Sequence, residues 1–192
     1  NEGFKSSSQV NYVARCGNFR EKGYEYTGAL RILKVMLSYD YLWINIRVKG
    51  GAYGCMSGFG RSGEGYLVSY RDPNLRETNA VYEGVTDYLR NFQADERDMT
   101  KFVIGTISDL DTPLTPSIRG SRGLSAYLSG VTQEMMQKER DQVLSATVED
   151  IRALADIVQA ILDTGAFCVV GNEDRIEGAK DLFKETKNLY QA

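Results

Sequence analysis

Arg47, Gly50, Gly51 and Tyr53 lie in the most informative short segment of the sequence, Arg-Val-Lys-Gly-Gly-Ala-Tyr-Gly at residues 47–54. Two consecutive glycines let a chain reverse tightly and leave its backbone open to a ligand. A guanidinium offers a planar fork of N–H donors, and a tyrosine hydroxyl offers one more. Such donors can bind a carbonyl oxygen that gains negative charge during attack. The segment therefore predicts a polar site where Arg47 and Tyr53 face one cleft.

Other interpretations of this segment stay open on the residues alone. An arginine near a helix C-terminus often only satisfies the last carbonyls and the helix dipole, and a tyrosine at a strand start often only packs. A phosphate-binding loop is a weaker interpretation, because such loops lead from a strand into a helix, whereas these glycines follow a predicted helix. Cys55 would need a base to act as a nucleophile, and a buried thiol is the simpler expectation.

Composition limits the chemistry of the whole chain. Histidine is absent from the 192 residues, although it is the commonest general base near neutral pH and the commonest zinc ligand. The sequence therefore excludes a Ser-His-Asp triad, a Cys-His dyad and a histidine-based zinc site within this chain, and we expect it to bind no metal. The formal net charge of −3, with both signs interspersed, offers no basic face to nucleic acid. No apolar run is long enough to predict a membrane span.

Domain organisation and cellular compartment are predicted from the same composition. An apolar fraction of 42% suffices for a hydrophobic core, and no linker interrupts residues 1–192, so one domain is expected. Its start, Asn-Glu-Gly-Phe, predicts a fragment of a longer polypeptide. Cys16, Cys55 and Cys168 are odd in number and far apart, which favours reduced thiols. Reduced thiols favour the cytoplasm, or alternatively a mitochondrial or plastid matrix.

The elements that position Arg47 and Tyr53 can be predicted from apolar periodicity. Apolar residues recur at spacings of three and four and predict a buried helix over residues 28–49, which the double glycine ends. Residues 52–60 and 65–71 read as the two strands of a hairpin. Further strands are predicted at 9–16 and 166–170. Several helices are predicted between the hairpin and the last of these strands.

The C-terminal part and the element order complete the prediction. Thr147, with Asp150 three residues on, predicts a capped helix. Asn172 is predicted to cap a last helix that includes Phe183. Consecutive helices after a hairpin predict an α+β fold, with an antiparallel sheet and helices packed on one face, a two-layer arrangement.

The sequence resembles the C-terminal domain of pitrilysin/insulinase-type zinc metallopeptidases, and within them the presequence-protease subfamily. Residues 47–54 carry this resemblance, together with the preceding Asp-Tyr-Leu-Trp-Ile-Asn-Ile at 40–46. Further matching segments are Ser-Tyr-Arg-Asp-Pro-Asn-Leu at 69–75, Asp-Thr-Pro-Leu-Thr-Pro at 111–116 and Gly-Ser-Arg-Gly at 120–123. The resemblance covers nearly the whole chain, from Val10 to Leu189.

The resemblance implies a division of labour between domains. Members of the family have homologous domains in two halves around a closed chamber, with zinc bound in the N-terminal half. By position, Arg47 and Tyr53 would contact the carbonyl of an unfolded peptide substrate, and Gly50 and Gly51 would belong to the same binding turn. The partners implied are the N-terminal catalytic domains of the same polypeptide. This chain alone would be inactive.

Two non-enzymatic interpretations stay open beside the peptidase. Related families include degenerate members that serve as assembly subunits, and a parent of that kind would keep the fold and lose the metal. A free-standing peptide-binding module is the other alternative, with a sheet edge offered for strand addition.

Overall fold

The computed structural model describes residues 1–164 and 166–190. The strands are β1 Glu2–Ser6, β2 Asn11–Asn18, β3 Gly54–Phe59, β4 Glu64–Asp72, β5 Ala166–Asn172 and β6 Glu185–Asn188. The helices are α1 Ala29–Met36, α2 Arg76–Glu83, α3 Val85–Arg90, α4 Glu96–Leu110, α5 Pro116–Leu128, α6 Gln133–Leu144, α7 Val148–Asp163 and α8 Glu173–Glu177. Within these two ranges, no helix combines the length and the hydropathy needed to cross a membrane.

The six strands form one mixed sheet in the order β3-β4-β2-β5-β1-β6. Neighbours from β3 through β5 pair antiparallel, whereas β1 pairs parallel with both β5 and β6. The predicted α+β class and the predicted hairpin of β3 and β4 are confirmed. The sheet is mixed rather than wholly antiparallel because β1 pairs parallel with β5 and β6. Neither β1 nor β6 was predicted. Their sequences, Glu-Gly-Phe-Lys-Ser and Glu-Thr-Lys-Asn, lack the apolar alternation that marks a strand.

The helices cover one face of the sheet, as predicted. Side chains alternate along each strand, so residues such as Val13, Leu67 and Phe167 point into the core and are almost completely buried. Residues between them, such as Tyr12 and Tyr66, point to the opposite face and are exposed. The core therefore lies between one side of the sheet and the helix layer, and the other side of the sheet is uncovered.

The helical stretch that leads to the site changes its geometry after Met36. Leu37–Tyr41 and Trp43–Lys49 have the wide turns of a π-helix. Because these turns are wide, Leu37, Leu42 and Ile46, which are spaced five and four residues apart, lie on the same buried face. The predicted helix over residues 28–49 is confirmed, but its wide turns were not predicted. Such turns are frequent at functional sites.

The end of the chain differs from the predicted long helix. Asn172 does cap a helix, because its side chain accepts a hydrogen bond from the backbone N–H of Arg175. That helix ends at Glu177, and the prediction that it continues through Phe183 is wrong. Phe183 instead stacks on Phe167, with ring centroids 5.4 Å apart. This long-range contact draws the chain back to the sheet, where β6 forms.

A buried carboxylate on α6 joins three distant elements. Glu139 is almost fully buried and accepts hydrogen bonds from Arg31 on α1 and from Arg61 in the turn between β3 and β4. The hydroxyl of Tyr26 donates to it as well, at 3.1 Å. Burial by itself favours the neutral acid, but the two guanidinium groups outweigh burial and hold the Glu139 pKa below its ordinary value.

Replacing Glu139 by glutamine should lower the free energy of unfolding by about 2 kcal/mol at pH 7, because two half-buried arginines lose their counter-charge. A carboxyl group whose pKa is lowered by folding stabilises the fold above its unfolded pKa, and this stabilisation is lost as pH falls through the folded pKa. The difference between wild type and variant should therefore shrink toward about pH 3. Urea unfolding at both pH values measures it. Glu149→Gln, at an exposed position on α7, is the matched control. An equal difference at both pH values would contradict this electrostatic account.

Candidate functional site

A double-glycine turn ends the wide-turn helix and begins the site. A side chain at Gly50 would place its Cβ atom 2.5 Å from the carbonyl oxygen of Ile46. Gly51 has φ 78°, in the left-handed region that favours glycine. Its N–H donates to the Arg47 carbonyl at 3.0 Å, and the N–H of Ala52 donates to Ile46 at 3.1 Å. These bonds satisfy helix-end carbonyls and turn the chain directly into Tyr53 and β3.

The turn after β4 holds the double-glycine turn in place through a hydrogen bond. The side-chain amide of Asn74 donates to the carbonyl oxygen of Gly50 at 2.6 Å. Asn74 is itself held by Asp72, a fully buried carboxylate that accepts its backbone N–H at 2.9 Å. Asp72 also accepts from the hydroxyl groups of Ser69, at 2.6 Å, and Thr78, at 2.8 Å. The segment at residues 69–75 thus fixes the position of the Gly50–Gly51 turn.

Arg47 is exposed but held in place by two contacts. Its guanidinium carbon lies 4.3 Å from the centre of the Trp43 ring, one turn earlier in the helix. Its Nε atom donates to the backbone carbonyl of Tyr53 at 3.1 Å. Within residues 1–164 and 166–190 we find no hydrogen-bond partner for its two terminal nitrogens. These donors are therefore presented to solvent from a fixed position.

Tyr53 is 62% exposed and flanked by two side chains of β4. Its ring centroid lies 5.6 Å from that of Tyr70 and 5.5 Å from the guanidinium carbon of Arg71. Arg71 has φ 49°, uncommon for a residue other than glycine, and its carbonyl accepts the N–H of Tyr53 at 3.2 Å. The phenol group is thus fixed by packing at its ring, and its hydroxyl makes no hydrogen bond to the described residues.

The uncovered face of the sheet continues from Tyr53 as an apolar surface. Tyr70 lies over Gly54 and Tyr66 lies over Gly58, because a Cβ atom on either glycine would come within 2.5 Å of the facing tyrosine. Met56 faces Val68, which in turn neighbours Ala14 and Cys168 across the sheet. This surface, the outer sheet face, comprises Tyr12, Ala14, Met56, Tyr66, Val68, Tyr70, Cys168 and Val170.

The predicted site residues occupy one exposed turn. Arg47 contacts the backbone of Tyr53, and both side chains face solvent rather than the core. Gly50 and Gly51 form the turn between them. Their role toward a peptide stays a prediction. Sequence reasoning missed Trp43, Tyr70 and Arg71 as supports of this site; the only signal was their presence in the segments that carry the family resemblance.

The described residues do not fit a metal ion. No group of three or more cysteine, aspartate and glutamate side chains with metal-binding geometry occurs in the described part of the chain, which also has no histidine. Cys55 lies next to the site, but burial, with a smaller contribution from the charge of Asp72, raises its thiol pKa to about 11. Cys55 is therefore a neutral thiol at pH 7 and a poor nucleophile. Cys16 is an exposed free thiol.

Comparison with known proteins shows the family to which the chain belongs. The family model of the PreP C-terminal domain matches residues 1–173. The chain is 46% identical to protein HypA of Clostridium perfringens, over 100% of this chain and 20% of that protein. It is 35% identical to presequence protease 1, chloroplastic/mitochondrial, of Arabidopsis thaliana, over 100% of this chain and 18% of that protein. The chain thus spans about a fifth of the length of these curated relatives.

A solved structure agrees at the level of the fold. The peptidase M16 inactive domain from Pseudomonas fluorescens superposes with a TM-score of 0.64 at 15% identity, covering 98% of this chain and 44% of that one. The resemblance to the presequence-protease subfamily is confirmed by the family model and by the relatives. The chain belongs to the PreP C-terminal domain family, and its relatives include presequence proteases.

Proposed function

We propose that this chain is the substrate-binding C-terminal domain of a zinc-dependent endopeptidase that degrades short unfolded peptides. One observation carries the proposal. Arg47 and Tyr53 stand side by side on an exposed turn, each held by packing partners, while their remaining donors are free of the described residues. Membership in the family supports the class of reaction.

Each of the two residues has a distinct part in the proposed reaction. The terminal nitrogens of Arg47 would donate to a carbonyl oxygen of the bound peptide and fix the direction of its backbone. The Tyr53 hydroxyl would donate to the oxygen of the scissile carbonyl, where negative charge accumulates during attack. Because Trp43 and Tyr70 already hold both groups, little reorganisation is needed when the charge appears.

The outer sheet face suits the same substrate class. An unfolded peptide exposes apolar side chains that a folded protein buries, and a contiguous apolar surface next to Tyr53 can pack against them. A peptide bound at Arg47 and Tyr53 would therefore lie beside tyrosine, methionine and valine side chains. A folded protein has no comparable extended chain to offer.

The metal and the partners belong to the proposal as well. Because the described residues bring no three zinc-binding side chains together, the zinc ion would be bound by another domain, in N-terminal catalytic domains of the same polypeptide. The relatives are about five times longer than this chain, which leaves room for such domains. The free thiols favour a reducing compartment, either cytoplasm or an organelle matrix such as the one named for the Arabidopsis relative.

The isolated chain should show no peptidase activity with added zinc, whereas the complete protein that carries it should cleave a fluorogenic unfolded peptide and lose activity with a chelator. Hydrolysis by the isolated chain would contradict the proposal.

The uncovered apolar face also fits a non-catalytic assembly or peptide-binding domain. A complete protein that binds peptides but neither holds zinc nor cleaves them would favour that second function.

A further inference from the structure

A cavity of about 880 Å³ lies at the opposite end of β3 from the Arg47–Tyr53 turn. It is open to solvent and is lined by α1, by the segment that precedes α1, by α6 and by the turn between β3 and β4. Five cationic side chains line it: Arg20, Arg31, Lys34, Arg61 and Lys138. Three carboxylates oppose them, those of Glu25, Glu64 and Glu139, so the lining has a formal surplus of two positive charges. A cavity with this surplus attracts anions.

The positive charges of the cavity are partly preorganised. Glu139 is buried beneath Arg31 and Arg61 and binds one nitrogen of each, which fixes both guanidinium groups at the cavity wall. Arg20 is already paired with Glu25 at 3.2 Å. Lys34 and Lys138, in contrast, have no ion-pair partner among residues 1–164 and 166–190. Arg31 and Arg61 together keep one positive charge after pairing with Glu139, and Glu64 offsets it, so the two lysines account for the surplus.

The outer sheet face connects this cavity with the Arg47–Tyr53 turn. Tyr70 lies over Gly54 at the Tyr53 end of β3, and Tyr66 lies over Gly58 at the other end. Gly58 and Tyr66 also line the cavity, so the cavity adjoins this face. Ser57, in the middle of β3, is only 2% exposed, so the outer edge of the strand is covered and offers no place for an added strand.

The spacing of the two ends suits a short peptide. Tyr53 precedes the first residue of β3, and Gly58, Phe59 and Gly60 line the cavity. Six strand residues at about 3.3 Å each separate the two by roughly 20 Å. An extended peptide would therefore cover this distance with about six residues.

We propose that the cavity binds a carboxylate of the peptide substrate, with the peptide extended along the outer sheet face beside β3 and about six residues between this carboxylate and the carbonyl at Tyr53. The inference rests on the proposed function, because it places the second end of the same peptide. A C-terminal carboxylate and the side chain of an aspartate or glutamate have the same chemistry, so either can occupy the cavity.

The test uses the complete protein, stripped of metal by a chelator so that the peptides stay intact. Fluorescent unfolded peptides carry a C-terminal carboxylate or amide, and glutamate or glutamine six residues from the cleavage site. Lys34→Gln combined with Lys138→Gln removes two exposed charges that form no ion pair with the described residues. Lys180→Gln combined with Lys184→Gln removes the same charge at exposed positions away from the cavity.

The cavity double variant should raise the dissociation constant of a carboxylate-bearing peptide about fivefold, because two partly screened charge contacts are lost. The control double variant should leave it unchanged, and high salt should remove most of the difference. If the effect of the cavity double variant disappears when the peptide C-terminus is amidated, the cavity binds the C-terminal carboxylate. If the effect disappears when the glutamate is replaced by glutamine, the cavity binds a side-chain carboxylate.

Equal binding of all peptides, or equal effects of the two double variants, would overturn the inference. That result leaves the proposed function intact if Tyr53→Phe still lowers turnover, because the two measurements use different residues and different readouts. Far-ultraviolet circular dichroism confirms that each variant is folded before binding is compared.

Discussion

Replacement of Tyr53 by phenylalanine should lower the turnover number of the complete peptidase by about 10²–10³, the usual cost of losing one donor to a developing oxyanion. The phenyl ring keeps the packing against Tyr70 and Arg71, so the turn should stay in place. The hydroxyl makes no hydrogen bond to the described residues, so the free energy of unfolding should not change. The measurement is turnover at saturating peptide.

The Michaelis constant separates this role from simple substrate binding. A donor that acts mainly in the transition state lowers turnover and leaves the Michaelis constant nearly unchanged. Tyr39→Phe is the matched control, because Tyr39 is an exposed tyrosine in the same helical stretch. A Tyr53→Phe enzyme that turns over at the wild-type rate would remove Tyr53 from the reaction.

Replacement of Arg47 by alanine should raise the Michaelis constant of the complete peptidase about 10- to 100-fold, the value of one or two charge-assisted hydrogen bonds to a peptide. A smaller loss of turnover should accompany it, since Arg47 grips the backbone in both the ground state and the transition state. Because the Michaelis constant can differ from the dissociation constant, peptide binding to the metal-free protein should be measured in parallel.

Two further variants identify which property of Arg47 matters. Arg47→Lys keeps the positive charge but loses the planar fork, the stacking on Trp43 and the Nε bond to the Tyr53 carbonyl. We expect an intermediate Michaelis constant for it. Arg90→Ala, at an exposed position on α3, tests for a general effect of net charge. Wild-type values for both kinetic constants in Arg47→Ala would reject its role in gripping the peptide.

Much of the local structure could be predicted because it depends on residues close in sequence. Thr147 and Asp150 lie three positions apart, and their reciprocal capping of α7 is confirmed. The hairpin of β3 and β4 follows from alternation around a turn, and the buried helix over residues 28–49 follows from apolar periodicity. The candidate pair Arg47 and Tyr53 was found in the same way, since only a double-glycine turn separates the two residues.

The supports of the site could not be predicted because they depend on pairing across the sheet. Tyr70 flanks Tyr53 only because β4 pairs with β3 in a register that sets Tyr70 over Gly54. Glu139 meets Arg31 and Arg61 across separations of 108 and 78 residues. No window of neighbouring residues contains that information.

The sequence by itself determined which chemistry this chain can take part in: without histidine it has no triad and no histidine-bound zinc, and its Arg-x-x-Gly-Gly-x-Tyr spacing brings two donors to one turn. Only the tertiary structure decided that both donors are exposed, that the sheet is mixed, and that an apolar face and a cationic cavity adjoin β3. The physical reason is how far apart in sequence the contacting residues are. Caps, turns and periodicity arise from contacts a few residues apart, whereas burial, strand order and cavities arise when distant segments pack together.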